Sequence, residues 1–113
     1  MFYKIVTMYG NMEDPESFYH FYRNTMVPKI LSLEGVLKIN VNRLFYETLG
    51  KEEPSDSYKP KYHVMGELYV TDVHLFMESF RNSDAGQIVA SFLTKDAIDY
   101  ASFYTAFEET FEK

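Results

Sequence analysis

Residues 14–25, DPESFYHFYRNT, align without gaps against residues 72–83, DVHLFMESFRNS. Asp14 falls on Asp72, Phe18 on Phe76, Arg23 on Arg81 and Asn24 on Asn82, with Tyr22 over Phe80 and Thr25 over Ser83. Each segment opens with an aspartate that can accept from the unpaired amides of a helical first turn, and each carries aromatic residues at helical spacing. Two descriptions fit the match: an internal repeat, or two helices that share cap and core chemistry because helix starts favour it. In both, each helix follows a strand-like run rich in β-branched and aromatic residues, FYKIVTMY before the first and YHVMGELYV before the second. Two strand-helix-strand halves predict a ferredoxin-like βαββαβ fold of the α+β class: a four-stranded antiparallel sheet with its helices on one face. The fourth strand must then come from the tail SFYTAFEETF, although Phe103, Phe107 and Phe111 also fit a helical stripe.

The remaining elements are read outward from that frame. Pro15, one residue inside the first helix, lacks an amide that had no partner there. Phe18, Phe21, Tyr22, Thr25 and Met26 should face the core, while His20, Arg23 and Asn24 point elsewhere. Pro28 is expected to break or kink the helix near Val27, with a short further turn through Ile30, Leu31 and Leu33 ending at Gly35. In VLKINVNRLFY, from Val36, the residues Leu37, Ile39 and Val41 alternate with Lys38, Asn40 and Asn42 and predict a strand with one apolar face. Residues 47–61 hold Gly50, Pro54 and Pro60 without apolar periodicity and read as an exposed connection. The second helix should bury Val73, Phe76, Met77 and Phe80, and a short helix is expected from Ser83 to Phe92.

The chain of 113 residues suits one domain, 1–113, large enough to bury roughly 65% of its unfolded surface. It contains no cysteine, which excludes disulfides and thiolate metal sites, and its opening run is too short for a signal peptide or membrane span, so a mature cytoplasmic protein is expected. Eleven Lys and Arg against 17 Asp and Glu give a net charge of −6, which argues against nucleic acid as a partner. Ten Phe and ten Tyr are more large rings than a core of this size hides with ease. They point to a ligand cavity, a subunit interface, or both. The bare sheet face of this topology predicts a homodimer formed through the sheet faces.

DPESFYHFYRNTMVPKILSLEGV, NVNR, and YHVMGELYV followed by TDVHLFMESFRNSDAGQ together resemble the EthD-like group of the dimeric α+β barrel superfamily, over most of the chain from about Met8 to about Phe92. The resemblance implies the ferredoxin-like fold, an association with the degradation of small organic compounds and, in the wider superfamily, cofactor-free oxygenases, lactone isomerases and polyketide cyclases. The group commonly carries a histidine two residues before the helix-one proline; here that position is Met26. A thioether cannot serve as a general acid or base, so Met26 is expected as a pocket wall.

The three histidines, His20, His63 and His74, lack metal-ligand spacing, so no metal is expected, and no phosphate loop or nucleophile motif calls for a cofactor. Strand alternation places His63, Met65, Glu67 and Tyr69 on one face. Imidazole, carboxylate and phenol there could handle protons as a catalytic group, or could form a polar lining of the dimer interface with Lys4, Asn40 and Asn42. Tyr9, Tyr22, Tyr46 and Phe92, with Met26, are the candidate walls for a small apolar or aromatic ligand, core packing being the alternative. The functional expectation is therefore a small-molecule protein, either binding or catalytic without a cofactor. The competing expectation is a dimeric interaction module.

Overall fold

The computed structural model of the protein describes residues 2–47, 49, 60–93 and 101–113. The elements run β1 (Phe2–Gly10), α1 (Pro15–Phe21), a π-helical turn (Tyr22–Met26), α2 (Val27–Leu31), β2 (Val36–Arg43), β3 (Tyr62–Val70), α3 (Val73–Asn82), α4 (Asp84–Ser91) and β4 (Ala101–Glu108). The sheet order is β2-β3-β1-β4 with every neighbouring pair antiparallel, the ferredoxin-like arrangement expected from two βαβ halves. The tail supplies the fourth strand. Most of the 47–61 connection lies outside the described residues.

The aligned segments hold the same place in each half. Asp14 caps α1 by accepting the Ser17 amide at 3.0 Å, and Asp72 caps α3 by accepting the Leu75 amide at 3.0 Å. Their helices cover one sheet face, where the core gathers Tyr9, Tyr22, Met26, Val64, Leu68 and Phe76 among others.

Four local expectations change. The helix is not ended by Pro28: it passes from α1 through the π-helical turn into α2. The Val27 amide reaches back five residues to the Tyr22 carbonyl, and a turn wound this wide relieves the proline ring of the carbonyl it would otherwise meet. The buried stripe accordingly runs Tyr22, Met26, Ile30, and leaves Phe21 at the exposed margin against Phe92, ring centroids 5.0 Å apart. Leu37 is 54% exposed because a β-bulge between Val36 and Lys38 inserts it as an extra residue and breaks the simple alternation. Val73, at the start of α3, is also exposed rather than packed.

Candidate functional site

Between the sheet and the helices lies a cavity of about 320 Å³. The sheet supplies its floor through Ile5, Thr7 and Tyr9 of β1, Gly66 and Leu68 of β3, and Ile39 of β2. Its roof comes from Tyr22, Met26 and Ile30 on the first helical run and from Phe76, Phe80 and Val89 on α3 and α4. Phe103 of edge strand β4 lines the cavity yet is 43% exposed, so the cavity meets solvent on that side. No Lys, Arg, His, Asp or Glu borders it among the described residues.

Among the described residues, polar side chains enter the cavity lining as hydroxyl groups. Thr7, Tyr9 and Tyr22 bring these hydroxyls to the lining, the Tyr9 and Tyr22 rings tilted with centroids 5.2 Å apart. Gly66 makes room for this group, since a Cβ there would stand 2.5 Å from the Tyr22 hydroxyl oxygen. A glycine inside a strand marks such a close approach. Burial pushes the Tyr22 phenol up to about 12, and burial with the neighbouring Tyr22 moves Tyr9 further upward. Both remain neutral hydrogen-bond donors across the physiological range, and neither serves as a resting base.

The opposite sheet face carries a second polar group. Lys4 Nζ donates to Glu67 Oε2 at 2.6 Å and to Glu108 Oε1 at 3.1 Å, Asn42 Nδ2 donates to Glu67 Oε1 at 3.1 Å, and the Tyr69 hydroxyl donates to Glu108 Oε1 at 2.7 Å. The Tyr69 hydroxyl, then Lys4, hold the Glu108 carboxyl below its ordinary range, while Glu67 above all holds the Lys4 ammonium above its own. Around this network the same face presents Val6, Met8 and Met65, all half-buried, and the exposed Tyr104.

The candidate residues thus divide among separate places. Tyr9, Tyr22 and Met26 come together in the cavity. Phe92 is buried behind that wall, stacked on Phe18 at 6.1 Å, and Tyr46 borders a different groove with Pro60, Lys61 and Tyr62. Glu67 and Tyr69 join the open-face network. His63 sits four residues from Glu67 on β3, about 13 Å along the strand, and borders a groove with Glu16, Tyr19 and Arg43, where Arg43 pairs with Glu16. Thr7 and Gly66 were missed by reasoning from residue types. The lone glycine within YHVMGELYV was the available signal for the second.

Strand order and helix placement together define a ferredoxin-like α+β fold with a cavity between its layers. No family model matches the chain, and no curated protein is a recognisable relative in sequence. Solved structures do share its fold. An EthD family protein from Bacillus halodurans is 22% identical, with 96% of this chain and 100% of that one covered at a TM-score of 0.77. SnoaB, a cofactor-independent oxygenase from Streptomyces nogalater, is 10% identical over 96% and 94% of the two chains at 0.65. A dimeric ferredoxin-like protein of unknown function from Jannaschia is 10% identical over 94% and 97% at 0.59. At these identities the likeness is one of fold, and the resemblance to the EthD-like group seen in the residues agrees with it.

Proposed function

We propose that this protein binds a small apolar or aromatic compound between its sheet and its helices, in the service of breaking down small organic compounds. The observation that carries the reading is the apolar cavity of about 320 Å³, a volume in the range of ordinary small-molecule sites. Binding ranks above turnover because the position where the EthD-like group carries a histidine is Met26, which offers no proton chemistry, and because Tyr9 and Tyr22 are held protonated. A calorimetric or NMR screen of small aromatic and lactone compounds tests the reading. Met26→Phe should weaken any binding found by filling the cavity, and binding indifferent to that change would refute it.

A cofactor-free reaction is the second reading, favoured by the proton-bearing network on the open face and by the oxygenase among the proteins of like fold. Glu67 and Tyr69 would be its proton-handling residues within that network, with His63, about 13 Å along the strand in the neighbouring groove, as a separate titrating group. Turnover of a screened compound that disappears in His63→Ala, with assembly unchanged, would establish it.

We further propose a homodimer in which the open sheet faces meet. Val6, Met8, Met65 and Tyr104 supply apolar surface there, and the Lys4–Glu67–Asn42 and Tyr69–Glu108 bonds pair these polar groups with one another. The open face could alternatively serve a non-catalytic interaction module, whose assembly would be insensitive to every cavity substitution.

A further inference from the structure

Hydrogen-bond accounting in the cavity leads beyond an apolar guest, while resting on the reading that the cavity binds one. Thr7, Tyr9 and Tyr22 bring three hydroxyls to the lining. Each owns one hydrogen to donate, and among the described residues no carboxylate, amide or imidazole side chain stands on the lining to accept it. Tyr22 reaches down from the helix until its hydroxyl oxygen lies 2.5 Å from where a Gly66 Cβ would stand. In a wall that is otherwise hydrocarbon, a donor that finds no acceptor is costly, and a guest that supplies one is favoured.

The surroundings also limit the charge of the guest. With no cationic or anionic side chain on the lining among the described residues, a carboxylate or ammonium would leave water with no counter-charge there. We infer that the Tyr22 hydroxyl, seated over Gly66, is a specificity-determining donor that selects neutral guests bearing one acceptor oxygen, such as a ketone, aldehyde or lactone carbonyl, over hydrocarbons and anions. The recognised unit is the carbonyl oxygen, and the remainder of the guest meets Met26, Phe76 and Val89.

Three probes of similar size separate the outcomes by calorimetry on the full chain: 1-tetralone, tetralin and 1-naphthoate. The wild-type protein should bind tetralone roughly three- to tenfold more tightly than tetralin, the range a neutral hydrogen bond supplies, and naphthoate least of all. Tyr22→Phe should abolish the preference and keep tetralin binding, which also reports that the variant is folded. Gly66→Ala should reduce the preference by pushing the hydroxyl aside. Independently of any variant, the carbonyl stretch of bound tetralone should lie below its frequency in a hydrocarbon solvent. An unshifted stretch, a preference that survives Tyr22→Phe, a preference lost only in Thr7→Val, or naphthoate binding as tight as tetralone would each overturn the assignment. If tetralin binds and tetralone binds no better, this inference fails while the cavity reading stands; if neither neutral probe binds, the cavity reading fails and takes the inference with it.

Discussion

Met26 is 1% exposed and fills the roof of a cavity that is already incompletely packed. Met26→Ala should therefore cost about 2 to 5 kcal/mol in denaturant unfolding, because the surrounding helices relax only partly into the space. Tyr9 and Tyr22 give an alkaline prediction whose sign follows from burial. Each has a folded pKa above the ordinary phenol value of 10.0, Tyr22 at about 12, so the folded state holds the proton more tightly than the unfolded chain. Their contribution is intact below about pH 10 and is lost as pH rises above it, for Tyr22 through about 12 and for Tyr9 beyond. Melting temperature should fall steeply over that interval, and less steeply in Tyr22→Phe, which removes one of the two groups. A flat profile to pH 12 would contradict the burial of both phenols.

Among the elements, the two aspartate caps make matched contacts and invite a matched test. Asp14→Ala and Asp72→Ala should each lower the denaturant midpoint by similar amounts at neutral pH. The Ser17 amide, with its hydroxyl, holds the Asp14 carboxyl below its ordinary value of 3.8, so that cap is present above this value and lost as pH falls through the depressed one. The gap between wild type and Asp14→Ala should close in acid. These caps and the strand alternation were legible in the residues because each is a local interaction at fixed spacing. The π-helical turn was not, since Pro28 announces an interruption without saying whether the chain breaks, kinks or widens. The bulge at Leu37 was hidden for another reason: an extra residue exists only relative to a partner strand. Gly66 went unread as a glycine in a strand because its meaning depends on which side chain crosses it.

At the scale of the molecule, a homodimer is expected to scatter light as twice 13.3 kDa at micromolar concentration, and a monomer under those conditions would remove the proposal. Lys4→Ala should weaken that dimer, because it removes the shared cation and leaves Glu67 and Glu108 facing each other on a buried surface. Architecture was readable from the sequence because repeat, caps and alternation all lead to one topology. The cavity was only partly readable. Tyr9, Tyr22 and Met26 follow from helical and strand phase, but empty volume belongs to no residue and appears only when the layers are assembled.

The cavity also has a direction. Along β1 its floor passes from Tyr9 and Thr7, paired across to Gly66, to Ile5, paired across to Leu68, so hydroxyls gather at one end and hydrocarbon at the other. The two helical walls differ as well: one contributes a π-helical turn, the other a helix divided at Ser83. A container with unlike ends and unlike sides has no mirror plane. A guest anchored by one oxygen would present its two faces to different surroundings, so the enantiomers of a substituted cyclic ketone should be held unequally, and a racemic mixture would be sorted.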